Sequence, residues 1–309
     1  MRKISIITPT YNEEENINEL YSQLLTQIGK LPQFEFEILF IDNDSSDKTP
    51  ELLRQLSRLD SRVKVIFNTR NFGHIRSPYW GILQTTGDAT IYMASDLQDP
   101  PSLIPDFIEY WEKGFLLVLA VKPNSDGSRL MHYLRKKYYE LLDRISEINI
   151  TKDATGFGLY DRKVINCLRE INDPYPYLRG LISELGYSIK TISFTQPRRL
   201  RGLSKNNLYT LYDIAVLGIV SHSLVPIRLV GFFGAITSIF CFVLALLFLL
   251  FKLVWWNSFP FGYAPIFILV SFMFGAVLLA IAILGEYIAS IHTYVKSRPI
   301  VVEKERINF

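Results

Sequence analysis

GDATIYMASDLQDPP, residues Gly87 to Pro101, runs from a small-residue turn through an apolar, β-branched stretch into acids and a double proline. Thr86-Gly87-Asp88 forms the turn, Thr90–Met93 reads as a strand, and Asp96, Gln98 and Asp99 follow before Pro100-Pro101 stop it. A strand ending this way delivers oxygen ligands to the C-terminal edge of a sheet, where open α/β sheets bind ligands. Oxygen donors without a nearby His or Cys suit Mg²⁺ or Mn²⁺, ions that bridge diphosphate oxygens. Asp and Pro are equally ordinary turn residues. The segment alone fits either reading, and the rest of the chain decides between them.

Upstream, Ile4–Thr8 reads as a strand, and the acid-rich Asn12–Asn16 as a helix start suited to the positive end of the helix dipole. Ile17, Leu20, Leu24 and Ile28 recur at helical spacing. Phe34–Ile41 is a second strand, and it runs into the polar segment Asp42–Asp47. Asp47 is placed to cap a helix that has Pro50 in its first turn and Leu52, Leu53, Leu56 and Leu59 on its buried side. Val63–Phe67 is a third strand, and the opening segment is the fourth. A helix carrying Ile104, Phe107, Ile108 and Trp111 and a fifth strand, Phe115–Val121, complete the series. Such alternation predicts an α/β, Rossmann-like, mostly parallel sheet with flanking helices. Asp42 and Asp96 should then stand on one edge of it. No GxGxxG or GxxxxGK[ST] occurs, which argues against dinucleotide oxidoreductases and P-loop NTPases. Further on, helices are expected near Lys163–Ile171 and Tyr177–Gly186, with a strand at Ser188–Thr195.

The apolar residues, 49% of the chain, are unevenly spread. Leu229–Phe251 and Tyr263–Gly285 contain no charge, and each exceeds the roughly 20 residues that cross a bilayer. Arg198, Arg199, Arg201, Lys205 and Arg228 precede the first run, and Lys296, Arg298, Lys304 and Arg306 follow the second. The connecting loop from Leu253 to Ala264 is uncharged and rich in aromatics, and Lys252 just before it can snorkel to the outer interface. These flanks predict a two-pass integral membrane protein with both termini cytoplasmic. MRKISIITPT has too short an apolar run for a signal peptide. The basic, acid-free Leu185–Tyr212 and the small or apolar face after it read as a juxtamembrane amphipathic helix. The expected organisation is a catalytic domain over 1–195, a basic hinge and amphipathic helix over 196–226, two transmembrane helices over 227–293 and a tail over 294–309. Two spans bury little surface on their own, so a homo-oligomer bundled through them is expected. Cys167 and Cys241 fall in different compartments of this scheme, so no disulfide is expected. The four histidines are scattered without ligand spacing, and no nucleic-acid partner is expected.

Together the motifs resemble the polyisoprenyl-phosphate glycosyltransferases, the family-two enzymes of GT-A fold that include bactoprenol glucosyltransferases and dolichol-phosphate mannose synthases. Pro9, Tyr11, Asn12 and Glu13 match the family's PxYNE, which implies contacts to the nucleotide; Asp42 matches the acid that contacts the base. Arg70–Gly73, RNFG, matches a loop of the bactoprenol branch. Asp96–Pro101 matches the segment that binds metal and donor diphosphate, which implies Asp96 and Gln98 as metal ligands for Mg²⁺ or Mn²⁺. Arg129 lies in the region of the mobile acceptor loop. Arg201, Ser204 and Lys205 match a juxtamembrane R-x-x-S-K, and with Arg129 the resemblance implies them in handling lipid phosphate.

Two positions depart from the pattern. Ala94 replaces the first acid of D-x-D, and Gly156 replaces the acid presumed to act as catalytic base, with Asp153 close enough in sequence to substitute. The resemblance implies an inverting transferase that moves a hexose, glucose from UDP-glucose, onto polyprenyl phosphate, with Asp96, Asp153 and Arg129 as catalytic candidates. A catalytically silent nucleotide-sugar-binding protein is the rival reading. A processive polysaccharide synthase is disfavoured by two spans and the absence of QxxRW.

Overall fold

The computed structural model describes residues 1–122, 154–171, 173, 176–195, 197, 225–254, 263–295 and 299–309. Asp153, Arg129, Arg201, Ser204 and Lys205 lie outside the described residues, as does the expected juxtamembrane helix.

The chain begins with β1 (Arg2–Thr10), α1 (Ile17–Ile28), β2 (Phe34–Asp42), α2 (Thr49–Leu59), β3 (Val63–Asn68) and α3 (Gly73–Gln84). β4 (Ala89–Tyr92), a 3₁₀ turn at Pro101–Leu103, α4 (Ile104–Glu112) and β5 (Leu117–Val121) follow. Then come β6 (Ala154–Asp161), α5 (Arg162–Ile171), α6 (Leu178–Glu184) and β7 (Ile189–Ser193). Two long helices, α7 (Val225–Val254) and α8 (Tyr263–Val295), precede a last strand, β8 (Glu303–Ile307).

The strands form one sheet in the order β7-β5-β6-β4-β1-β2-β3-β8. β1 pairs in parallel with β2 and β4, β2 with β3, and β5 with β7. β6 is antiparallel to both β4 and β5, and β8 is antiparallel to β3. Alternation along the central strands supplies a core on each face. Ile4, Ile6, Ile38 and Phe40 point toward Ile17, Leu20 and Leu24 of α1, Leu53 of α2 and Phe107 of α4. Ile7, Leu39, Ile41 and Ile66 point the other way, toward Tyr79 and Ile82 of α3, Ile165 of α5 and Leu181 of α6. Burial on both faces explains why β2 reads as a near-continuous apolar run.

Leu59, expected on the buried side of α2, is 82% exposed because the helix ends there and the chain turns toward β3. Asp47 accepts from the Thr49 N–H (3.0 Å), so it holds the start of α2 from one residue ahead of the Lys48 cap position.

After β3 the chain returns to the far side of β1 to form β4. That reversal makes β1/β4 the topological switch point, and it opens a crevice at the C-terminal strand ends.

α7 and α8 contain 30 and 33 residues, about 45 and 50 Å of helix. Among the described residues no helix is long and apolar enough to cross a membrane, and many α7 and α8 side chains fall outside that set. The two spans expected from the sequence are therefore not established by the fold.

Candidate active site

Beyond β1 the chain turns through Tyr11–Glu13, and beyond β2 through Asn43–Asp47. Hydrogen bonds stitch these two turns together. The Asn12 N–H donates to Ser45 Oγ (2.9 Å), the Glu13 N–H to Thr49 Oγ1 (2.9 Å) and the Glu14 N–H to Asp47 Oδ2 (3.1 Å). In return, the Ser46 N–H donates to Asn12 Oδ1 (2.8 Å) and the Lys48 N–H to Glu14 Oε2 (2.8 Å). Asn12 takes a positive φ of 54°, a conformation that Asn tolerates better than most residues.

A cleft of about 320 Å³ lies at the switch point. β1 and its turn supply Pro9, Thr10, Tyr11 and Glu13; the β2 end supplies Asn43; the RNFG loop and the start of α3 supply Asn71, Gly73, His74, Ser77 and Pro78. The segment after β4 closes the third side with Tyr92, Ala94, Ser95 and Asp96. Ser95 Oγ donates to the Pro9 carbonyl (2.8 Å), so this segment is fastened to β1 across the crevice.

Of the residues singled out from the sequence, Pro9, Tyr11, Glu13 and Asp96 meet around this cleft, whereas Asn12, Asp42 and Gln98 do not line it. Asp42 and Asp96 follow neighbouring parallel strands of β1 and so share the C-terminal edge. Their strand axes stand about 10 Å apart, with β1 between them. Asp42 is 2% exposed and accepts from both the Ser45 N–H (3.1 Å) and Ser45 Oγ (2.5 Å). Burial raises its pKa, and the Ser45 bonds only partly offset this. Asp42 and Asp96 thus share one sheet edge, as the sequence predicts, and Asp42 holds Ser45, whose Oγ in turn accepts from the Asn12 N–H.

On the β4 side, Asp96 Oδ1 accepts from the Gln98 N–H (3.2 Å), and Leu97 between them takes a positive φ of 61°. Asp99 is 5% exposed and accepts from the Ala94 N–H (2.8 Å). Burial, with the Asp96 charge adding to it, pushes its pKa up to about 7. Burial and the Asp99 carboxylate likewise raise the Tyr92 phenol well above its ordinary value. Among the described residues no group of three or more His, Cys, Asp and Glu could hold a metal ion. Asp96 at the cleft, with Asp99 buried behind it, still fits a hard, highly hydrated cation, because Mg²⁺ keeps several waters and takes its remaining oxygens from substrate phosphates.

An amide network shapes the opposite wall. Asn43 Nδ2 donates to Asn71 Oδ1 (2.8 Å) and the Gly73 carbonyl (3.2 Å), while its Oδ1 accepts from Asn68 Nδ2 (3.1 Å) and the Phe72 N–H (2.9 Å). Asn68 also donates to Ser77 Oγ (3.0 Å). The asparagines of the NDSSD and NTRNFG segments were visible in the sequence, but nothing in their spacing said that they meet.

The model of glycosyl transferase family 2 matches residues 5–169, more than half of the chain and all of the cleft. The chain belongs to glycosyl transferase family 2. It is similar along nearly its whole length to the bactoprenol glucosyl transferase of Shigella phage SfX, at 32% identity over 98% of this chain and 99% of that protein. A prophage bactoprenol glucosyl transferase homolog of Escherichia coli K12 is 30% identical over 96% of this chain and 97% of its own. The uncharacterized glycosyltransferase YkcC of Bacillus subtilis is 33% identical over 96% and 92%. The sequence-based identification of the family and of an enzyme that transfers a glycosyl group therefore stands. In this glycosyltransferase Ala94 lines the cleft, and Gly156 takes a φ of +92°, where an added Cβ would come within 3.6 Å of the Tyr92 ring.

Proposed function

We propose that the protein is an inverting hexosyltransferase that moves glucose from UDP-glucose onto polyprenyl phosphate at the cytoplasmic face of a membrane. The observation that carries this reading is Asp96 facing Pro9, Tyr11 and Glu13 across one cleft, in a chain similar end to end to bactoprenol glucosyl transferases. The nucleotide lies along the Tyr11 and Asn71 side, and its diphosphate reaches toward Asp96. Asp96 and Gln98 would hold Mg²⁺ or Mn²⁺, which neutralises charge on the departing diphosphate.

A phosphate oxygen of the lipid forms the new bond to the anomeric carbon while the bond from that carbon to the nucleotide diphosphate breaks. The products are polyprenyl-phosphate hexose of inverted, β configuration and UDP. A phosphate monoester has a second pKa near 6 and is largely dianionic at neutral pH, so it requires positioning more than deprotonation. Loss of an acid at Gly156 is tolerable on that ground, with Asp153 as the remaining carboxylate nearby in sequence. Arg129, Arg201, Ser204 and Lys205 are assigned to the lipid phosphate. α7 and α8 are assigned to a two-pass membrane hairpin with both termini cytoplasmic, bundled in a homo-oligomer. Their charge-free runs and basic flanks support that assignment.

The test supplies radiolabelled UDP-glucose and polyprenyl phosphate to the detergent-solubilised chain, with and without Mn²⁺. A labelled lipid that depends on the ion is the expected result. Ala94 and Gly156 favour the alternative of a silent nucleotide-sugar-binding protein. That reading prevails where no donor and no metal yields labelled lipid.

A further inference from the structure

Residues 299–309 follow α8 and close the sheet at its β3 edge, where they meet the part of the chain that walls the cleft. Ile300 and Val301 are buried with Ile66 of β3 and Tyr79, Ile82 and Leu83 of α3. The Val302 carbonyl accepts from both the N–H (3.0 Å) and Oγ1 (3.1 Å) of Thr69. Glu303 Oε1 accepts from Trp80 Nε1 (2.5 Å), and Arg306, paired with Glu303, also donates to Gln84 Oε1 (2.8 Å). Thr69 stands two residues before Asn71, and Trp80 two residues after Pro78. The cleft-lining segment Asn71–Pro78 is thus bracketed, on both flanks, by two consecutive residues, Val302 just before β8 and Glu303 at its start.

We propose that Glu303 is a positioning residue for the donor, holding the wall Asn71–Pro78 through Trp80. The proposal rests on the donor reading given above. An indole N–H bonded to a carboxylate that is 17% exposed is charge-assisted and partly shielded, so it locks the register of α3 against β8. Within the cleft, Asn71 meets Asn43, and Ser77 meets Asn68. A small slide of α3 would break both contacts at once.

Hydrogen–deuterium exchange and calorimetric titration with UDP on the full-length, solubilised chain test this. Glu303→Ala is expected to speed exchange in the 70–80 segment and to weaken UDP binding by about fivefold, the scale of one ordinary hydrogen bond transmitted to the wall. Trp80→Phe should do the same, and Glu303→Gln, whose amide oxygen still accepts from the indole, should restore both to within about twofold. Arg54→Ala breaks the Arg54–Glu305 pair (2.5 Å) on the same strand, away from the wall, and should change neither readout. Unchanged exchange at 70–80 in Glu303→Ala overturns the proposal. Failure of Gln to rescue, or equal loosening by Arg54→Ala, also overturns it, because either marks general loss of the strand. Absence of UDP binding by the unsubstituted chain would instead defeat the donor reading, and it is told apart because the exchange comparison needs no ligand.

Discussion

Ala94 lines the cleft two residues before Asp96, and its backbone N–H already serves Asp99. A carboxylate placed there would give the proposed metal a further protein oxygen without disturbing that bond. Ala94→Asp is expected to lower the Mg²⁺ concentration for half-maximal transfer by about tenfold. Metal titrations of initial rate check this. Asp42 is a residue whose chemistry was legible but whose job was not. Its acid was conspicuous in the sequence, yet only the folded turn reveals Ser45 donating to it twice. Asn at this position retains one acceptor oxygen, so Asp42→Asn should lower thermal stability by about 1–2 kcal/mol and weaken UDP binding in parallel. Glu37, on β2 and 2% exposed, was unremarkable in the sequence. It accepts from Ser5 Oγ (2.5 Å), the Thr86 N–H (2.7 Å) and Thr86 Oγ1 (2.7 Å), and pairs with Lys3 (2.7 Å) and Lys64 (2.9 Å). Burial alone would raise its pKa, but these partners together hold it well below the ordinary carboxylate range. A carboxylate depressed on folding contributes stability that is complete above its unfolded pKa, near 4.3, and drains away as the pH falls below it. Glu37→Gln should cost about 3 kcal/mol near pH 7, and the gap from the parent should narrow progressively below about pH 4. Denaturation series at pH 7, 4 and 3 measure both.

Among the elements, periodicity exposed those whose apolar pattern has a single destination. Ile17, Leu20, Leu24 and Ile28 of α1 and Ile104, Phe107, Ile108 and Trp111 of α4 are all buried, as their spacing required. β6 and β8 were harder. ATGFGLYD carries two glycines and reads as a loop into a strand, and only the sheet shows it running antiparallel between β4 and β5. EKERI carries four charges in five residues, because an edge strand pairs through its backbone on one side and meets solvent on the other. Pairing between positions so far apart in sequence leaves no local trace. The turn into β4 does leave one, at Gly87. A Cβ there would lie 2.7 Å from the Lys3 carbonyl and 2.8 Å from the Ser5 N, both backbone atoms of β1 that cannot yield separately. Gly87→Ala should therefore destabilise the fold by about 3 kcal/mol, seen as a lower denaturant midpoint at unchanged slope.

At the scale of the whole molecule, the C-terminal strand ties the long helices to the edge that carries the cleft. Only six residues lie between Val295, the last of α8, and Val302, bonded to Thr69 just past the end of β3, so seven Cα-to-Cα steps join them. Even fully extended they reach about 24 Å. If α7 and α8 form the proposed hairpin, this tether keeps the β3 end of the sheet within about 24 Å of the end of α8. Helices of about 45 and 50 Å exceed a hydrocarbon core of about 30 Å, so each would project a turn or two beyond it at either end. The uncharged connection between them, with Trp255 and Trp256, and Tyr263 at the start of α8 suit the far interface, while Arg228, Lys296 and Arg298 suit the near one. With Cys167 and Cys241 replaced by Ser, Ser258→Cys should react with a membrane-impermeant maleimide in intact cells, and Lys304→Cys only after permeabilisation. Labelling of both positions from the same side would remove the hairpin, and with it the tether that holds the sheet near the bilayer.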